Sequence, residues 1–385
     1  MSTLHFSCSS PEHALLLAAS RPCLDTEGAE RIVELSKGPI NWDYLSKQAA
    51  HHGTSGLAYA NMYAAGLRLD VAQVAPVVRI ARDTGNRNLY LQGELIKILA
   101  AFQTHHIPAM PIKGPVLAVT VYGDLAYRQF SDLDLLIHEH DIGQARALLG
   151  RAGFRCIRHP QWIEPYLSFA HELDFIRDDG DIHVDLQWRF GKKWLALPIT
   201  PEDVWKRSRS VCVGGQQLTQ PSLEDTALIL CIHGYRHFWS RLKWIIDIAA
   251  FMNRFGGQLD TAELLERARA GGGVTLLTLG LWLARELGGA AIPSTLLRCV
   301  DADIRASRLG RAVVDHLCRD ATPGPRGSLG TMNNVVFHWT ARERLRDRLP
   351  LPGPVAAHGT YVIRRRMHHH IRRLLRHRSA SAKSE

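Results

Sequence analysis

The sequence predicts an α+β fold: a small mixed sheet with helices packed against it, set between two helical regions. Three features predict this. Apolar residues recur at helical spacing from about residue 10 to residue 105. Beyond residue 107 the texture changes to short apolar runs that alternate with polar residues and break at glycine turns. From Ser222 onward helical spacing returns. With 385 residues, 46% of them hydrophobic, the chain can bury a large core in two or three subdomains. The expected organisation is a helical N-terminal region over 1–105, a sheet-bearing core over 106–220, a helical C-terminal region over 221–350 and a basic amphipathic tail over 351–385.

Trp42, Leu45, Ala49 and His52 share one helix face, and residues 77–102 continue the pattern with Leu89, Ile96 and Leu99. Residues 107–112 read as a short strand entered through Pro108. Lys113-Gly114 makes a turn, and Pro115 suits the first position of the helix that follows to Tyr122, where its missing N–H costs nothing. A strand, a glycine turn and a helix start together make an anion site, because free backbone N–H groups and the helix dipole face the ligand. Residues 132–137 form a second strand, 142–152 a helix ended by Gly153, and 154–157 a further strand. Residues 171–176 and 182–188 read as a hairpin turning around Asp179-Gly180, and 211–218 as another turning at Gly214-Gly215. Ser222, with Glu224 and Asp225 behind it, is a helix N-cap followed by an acidic first turn. That helix carries His233, Arg236 and His237; a second begins near Arg241, and Gly271–Gly273 precedes another over 274–287. Residues 322–328 read as a Gly- and Pro-rich loop. In the tail Ile363, Met367, Ile371, Leu374 and Leu375 share one helical face among arginines, and 379–385 read as disordered.

Along 132–137 side chains alternate, so Asp132 and Asp134 point one way and Leu133 and Leu135 the other. Adjacent carboxylates repel. A fold tolerates them best around a cation, and hard oxygen ligands suit magnesium. On the later strand Ile182, Val184 and Leu186 face one side and His183, Asp185 and Gln187 the other. Asp185 joins the first two acids if the strands are neighbours; Glu172, Asp174 and Asp181 compete for that place. Lys113 offers a full charge to a β- or γ-phosphate. Arg128 has a planar fork that suits a phosphate, or that neutralises an acid such as Asp124. His233 and His237 stand at i, i+4, but residue 234 is glycine, so the zinc pattern His-Glu-x-x-His is absent. Gly-x-Ser-x-Gly, a Walker P-loop and a Rossmann glycine fingerprint are absent too.

Lys113-Gly114, Tyr122-Gly123-Asp124, Arg128, Asp132-Leu133-Asp134 and the run from His183 through Asp185 to Trp188 resemble a bacterial family of uncharacterised nucleotidyltransferases within the polymerase-beta-like nucleotidyltransferase superfamily. That superfamily carries a Gly-Ser turn, an Asp-x-Asp/Glu strand and a third acidic residue, and uses two metal ions. Here Lys113-Gly114 stands where Gly-Ser is usual, as in the narrower family. The resemblance implies a polymerase-beta-like core flanked by helices. It implies that Asp132, Asp134 and Asp185 hold two Mg2+ ions, or Mn2+ in their place. It implies a nucleoside triphosphate, ATP first, with its phosphates at Lys113 and Gly114, and transfer of a nucleoside monophosphate with release of pyrophosphate. A looser likeness over 233–247 assigns His233, Arg236, His237, Arg241 and Lys243 to the triphosphate or acceptor, with Asp247 orienting one of these bases. The acceptor stays open among peptides, small metabolites, sugars and RNA. Kinase-like phosphoryl transfer at the same site and a non-catalytic nucleotide- or RNA-binding protein stand as alternatives.

Composition adds a bias. Lys and Arg number 47 against 37 Asp and Glu, a formal net charge of +10. Arg364, Arg365, Arg366, Arg372, Arg373, Arg376 and Arg378 crowd the tail, which suits a polyanion or a partner protein, although a solvated surface has the same composition. No apolar run is long enough to span a bilayer, and residues 15–19 are too short and lack a basic lead-in for a secretory signal, so a cytoplasmic setting is expected. The seven scattered cysteines, without a CxxC pair, fit a reduced compartment with no disulfide framework and no cysteine zinc site.

Overall fold

A computed structural model describes Cys8, residues 10–67, 71–179, 182–191 and 197–318, and Phe337, Thr340 and Ala341, the side chains of 71–74 excepted. The expected tail, the 322–328 loop and Gly180 of the hairpin turn lie outside these residues. Residues 1–348 form one compact unit. No helix among the described residues is long and apolar enough to cross a membrane.

Five helices open the chain: α1 (Pro11–Ala19), α2 (Thr26–Ser36), α3 (Trp42–His52), α4 (Ser55–Ala64) and the long α5 (Val71–Thr104). Ser10, Asp25 and Asn41 cap the first three, each accepting from the N–H three residues on. Glycine at 53 ends α3 in a left-handed turn, φ 74°. The buried stripe of α5 runs through Leu91, Leu95, Ile98 and Phe102, and Leu89 is 61% exposed. The sequence reading put the stripe at Leu89, Ile96 and Leu99; the sheet takes the neighbouring phase.

The middle of the chain holds β1 (Ala109–Pro111), α6 (Gly114–Leu117), β2 (Asp132–Ile137), α7 (Ile142–Arg151), β3 (Phe154–Cys156), α8 (Ile163–Leu167), β4 (Glu172–Arg177) and β5 (His183–Gln187). The sheet order is β1-β2-β5-β4-β3. Only the β2–β5 pair is parallel. That pairing requires the chain to leave β2, build α7 and the β3–β4 edge, and return to the centre. One sheet face, with Leu133, Leu135, Ile137, Leu173, Phe175, Val184 and Leu186, is sealed beneath the α5 stripe and α7. Each such side chain contributes roughly 1.5–3 kcal/mol on burial, so the alternation fixes the register: a one-residue slip would drive these acids into that core.

After α9 (Pro201–Lys206), the hairpin of β6 (Arg209–Val213) and β7 (Gln216–Gln220) stands as a separate ribbon turned by Gly214 and Gly215, both at positive φ. The helical remainder is α10 (Leu223–Arg236), α11 (Leu242–Phe255), α12 (Thr261–Ala270), α13 (Val274–Gly288), α14 (Ser294–Ala302) and α15 (Ile304–Leu317). Ser222 caps α10 as its sequence demands. Its exit is unusual: Phe238 and Trp239 both hold positive φ, 55° and 52°, a costly conformation for large side chains. Trp239 folds back, fully buried, onto Gly234, where a Cβ would lie 2.2 Å from its ring. This tight reversal brings α11 alongside α10, so that both helices face the polar side of the sheet. These helices and α1–α4 share a second apolar core. At its edge the Cys8 and Cys318 sulfurs, far apart in sequence, meet at 3.0 Å.

Candidate active site

The other face of the sheet carries the acids. Across its three central strands Asp134 of β2 lies opposite Asp185 of β5, and Asp185 opposite Asp174 of β4. Asp132 and Glu172 share that face by alternation. Asp134 and Asp174 are buried, whereas Asp132 and Asp185 keep part of their surface open to solvent. The three sequence-predicted acids are therefore gathered on two adjacent strands, with Asp174 beside them.

Crowding leaves these groups strained electrostatically. Burial, followed by Asp174, Asp132, Glu172 and Asp134, pushes the Asp185 carboxyl well above the usual carboxylate range. Burial also raises Asp134; Lys113 pulls it down and Asp132 pushes it back up. Glu172 behaves oppositely. Burial favours its neutral form, but His171, Arg236 and Lys113 outweigh that and hold the carboxyl well below its ordinary value.

Lys113 sits at the head of α6, beside Gly114 with φ 59°. Its Nζ donates to Asp134 Oδ1 at 2.9 Å and lies 3.1 Å from His233 Nδ1. Gln187 Nε2 donates to the same Asp134 oxygen at 2.7 Å. His233 and His237 have ring centroids 4.7 Å apart; His237 stacks on Trp244 at 4.8 Å and His233 meets that ring edge-on. Burial, then Lys113, keeps the His233 imidazole neutral, and burial, then Arg236, lowers His237 to about 3. A neutral His233 has a lone pair to offer the ammonium. Arg236 donates to the Phe190 carbonyl at 3.1 Å, contacts His171 Nε2 and lies 3.7 Å from Glu172. Lys243 is half-buried against Gly53, with Nζ 3.4 Å from the Gln129 carbonyl. Burial, then Arg128, lowers it to about 8.

Arg128 pairs with a carboxylate of α11. Its Nε and Nη2 donate to both oxygens of Asp247, at 2.8 and 2.9 Å, and Tyr122 Oη donates to Asp247 Oδ1 at 2.7 Å. Nε and Nη2 are both engaged and only 5% of the side chain is exposed. The structure thus gives Arg128 the acid-neutralising role that the sequence left open beside phosphate binding, with Asp247 as the acid, and the pair forms a brace. Asn88 of α5 ties the same segment down, donating to the Leu125 and Arg128 carbonyls at 2.6 and 2.8 Å. Gly56 of α4 packs against the Ala126 backbone, where a Cβ would lie 1.9 Å from the carbonyl oxygen. The N-terminal helices thus hold the run that leads into Asp132. Neither Asn88 nor Gly56 carried a sequence signal. Gln187 did: it alternates with Asp185 on the polar face.

The donor set suits a hard divalent cation: carboxylate oxygens on adjacent strands, two of which, on Asp134 and Asp185, have raised proton affinity that a cation would relieve. Among the described residues, however, no three His, Cys, Asp or Glu side chains already converge on one point in the manner of a metal cage. The Lys113 ammonium and the Gln187 amide fill the inner oxygen of Asp134.

Residues 38–289 match the family described as uncharacterised nucleotidyltransferase. The match spans the sheet, the acids and helices α10 and α11. Among solved structures, the chain is similar to the antibiotic-resistance factor ANT(2'')-Ia in its solution structure, at 16% identity and a TM-score of 0.32 over 48% of this chain and 91% of that one. The crystal structure of ANT(2")-Ia with adenylyl-2"-tobramycin is similar at 14% identity and a TM-score of 0.32, over 47% and 96%. An antigenic nucleotidyltransferase-like protein from Paracoccidioides brasiliensis is similar at 15% identity and 0.30, over 53% and 95%. Likenesses this partial decide nothing about substrate. No curated protein matches. The family match covers well over half of the sequence, and the chain belongs to this nucleotidyltransferase family.

Proposed function

We propose that the protein moves a nucleoside monophosphate from a nucleoside triphosphate, ATP first, to an acceptor hydroxyl, with pyrophosphate leaving. The observation that supports this most is the β2–β5 register, which sets Asp134 opposite Asp185 with Asp132 on the same face. Asp132, Asp134 and Asp185 would hold Mg2+, two ions, or Mn2+. Bound there, the ions would supply positive charge to the attacking and leaving oxygens of an in-line displacement.

The chain's own residues do the rest. Asp185, which keeps part of its surface open, takes the proton of the acceptor hydroxyl. The acceptor oxygen forms its bond to the α-phosphorus as the bond from that phosphorus to the bridging oxygen breaks, and the electron pair leaves with pyrophosphate. Lys113, the Gly114 backbone and Lys243 bring positive charge to the phosphates. Arg236 keeps Glu172 ionised, and His237 on Trp244 fixes the position of His233. The Arg128–Asp247 brace holds β2 at the right height.

Pyrophosphate release, measured with Mg2+, each triphosphate and a panel of peptide, sugar, small-metabolite and RNA acceptors, tests the reading. Turnover that Asp134→Asn reduces by orders of magnitude supports it. Undiminished Asp134→Asn turnover under saturating substrate defeats it. Release of nucleoside diphosphate in place of pyrophosphate would assign the same site to phosphoryl transfer.

A further inference from the structure

We propose that Lys113 is a built-in counter-ion, whose ammonium stands in for a divalent cation at Asp134 and passes to the nucleotide's phosphates when that cation arrives. The inference rests on the transfer reading above and gives Lys113 two successive partners instead of one.

Four observations carry it. First, Asp134 is 7% exposed and lies on a face with four other carboxylates, Asp132, Asp174, Asp185 and Glu172. A buried carboxylate in such company needs a cation. Second, the Lys113 side chain is itself 8% exposed and is held from both sides, by Asp134 Oδ1 at 2.9 Å and His233 Nδ1 at 3.1 Å. A lysine that only awaited a phosphate would reach for solvent. Third, Gln187 donates to the same oxygen, so Asp134 Oδ1 already has two donors and no ready cage of three ligands exists among the described residues. Fourth, neighbouring cations are engaged elsewhere: Arg236 by Glu172, His171 and the Phe190 carbonyl, and Arg128 by Asp247.

A divalent ion and an ammonium repel at one carboxylate oxygen, so one must yield. Lys113 can yield cheaply. Its charge rides on a flexible four-carbon stem, and the residue sits at the turn before α6. A triphosphate arriving at that turn supplies the anion the ammonium has lost. The exchange keeps local charge nearly constant. It also couples the two ligands: the cation alone must displace Lys113 without compensation, whereas with nucleotide present the displacement is rewarded. His233, neutral and accepting, is the positioning residue that holds the ammonium beside the cation site in the meantime.

The test separates the two ligands. Melting temperatures of the full chain are followed while Mg2+ is titrated without nucleotide, then while ATP is titrated at fixed Mg2+. Lys113→Gln keeps an N–H donor for Asp134 but removes the charge. In this variant Mg2+ alone should act at a concentration at least about tenfold lower than in the wild type, while ATP should act at a higher one. Opposite signs are the signature; a lysine needed only for folding would weaken both. Wild-type protein gives an independent readout through amine acylation mapped by mass spectrometry. Lys113 should react slowly in EDTA, faster with Mg2+, and slowly again with Mg2+ and ATP. Unchanged Mg2+ affinity in Lys113→Gln, or Lys113 reactivity indifferent to Mg2+, overturns the exchange. If either occurs while Mg2+-dependent pyrophosphate release persists, the transfer reading survives and only the exchange is lost.

Discussion

Two buried ionic groups lie within one short stretch of this chain, and they are built on opposite plans. In the first, Arg128 and Asp247 meet fork to carboxylate and Tyr122 adds a third bond, so charge and hydrogen bonding balance. In the second, Asp132, Asp134, Asp174 and Asp185 share a sheet face, with one ammonium, Lys113, bonded to one of them. The first is complete without any ligand. The second crowds acids together, and burial with neighbouring acids raises Asp134 and Asp185. The contrast separates a brace from a candidate site: matched buried charge holds the fold, and crowded buried acids mark where the proposed chemistry would occur.

The largest effect expected from breaking this contrast is on the crowded side. Asp134→Asn should lower pyrophosphate release by orders of magnitude, yet lower the urea midpoint in EDTA less than the brace variant does, because the loss of the Lys113 partner is offset by the removal of a like charge from the acidic face. A midpoint that falls by as much as the brace variant's would place Asp134 in the scaffold. Next comes the matched side. Arg128→Met leaves Asp247 buried and unpaired and should cost about 3–5 kcal/mol in urea unfolding. Adding Asp247→Leu should recover most of that loss, and failure to recover would mean Arg128 has a partner beyond Asp247.

A third effect depends on pH. His52 and His237 are both lowered to about 3, chiefly by burial, and His52 Nδ1 accepts from the Leu242 N–H. In the unfolded chain these imidazoles take up protons near their ordinary value. Their stabilisation is therefore full above about 6.5 and is lost as pH falls toward about 3, at roughly 1.4 kcal/mol per pH unit for each group. His52→Asn, which keeps an acceptor, should flatten that acid slope; an unchanged slope would show that His52 is protonated in the native state. Smaller still, Gly114→Ala should cost about 1 kcal/mol from its positive φ alone, since the nearest atom to an added Cβ is 3.6 Å away. A loss of several kcal/mol would reveal a hidden steric contact. Leu89→Gln should fall within about 0.5 kcal/mol of the wild type, as expected of an exposed position.

The part of the site that strand alternation controls was legible in the sequence. Period-2 patterning placed Asp132 and Asp134 on one face and Asp185 on one face, and a glycine turn announced the hairpin that carries Asp185. Period alone could not show that β5 returns to lie between β2 and β4, because the central position of a strand depends on packing over the whole sheet. The partner of Arg128 was hidden for a related reason. An arginine upstream of two acids looks like a phosphate clamp, and its actual partner, Asp247, lies far along the chain on α11, brought near by the reversal at Phe238 and Trp239. The α5 stripe was misphased because Leu89 and Leu91 both fit helical spacing and only the sheet chooses between them. Lys113 was recognised, but its bond to Asp134 was not, since nothing in the sequence distinguishes a lysine facing a ligand from one folded back on its neighbour.

The proposed function places a metal-dependent nucleotide site on this sheet face. Its most direct test is the melting temperature of the full chain with each nucleoside triphosphate, with Mg2+ and with EDTA, beside Asp132→Asn and Asp134→Asn. A ligand at 100 times its Kd adds about 2.7 kcal/mol to native stability, a readily measured shift. The expected result is a rise with at least one triphosphate that requires Mg2+ and disappears in both variants. No rise with any triphosphate, or a rise that both variants retain, would contradict it.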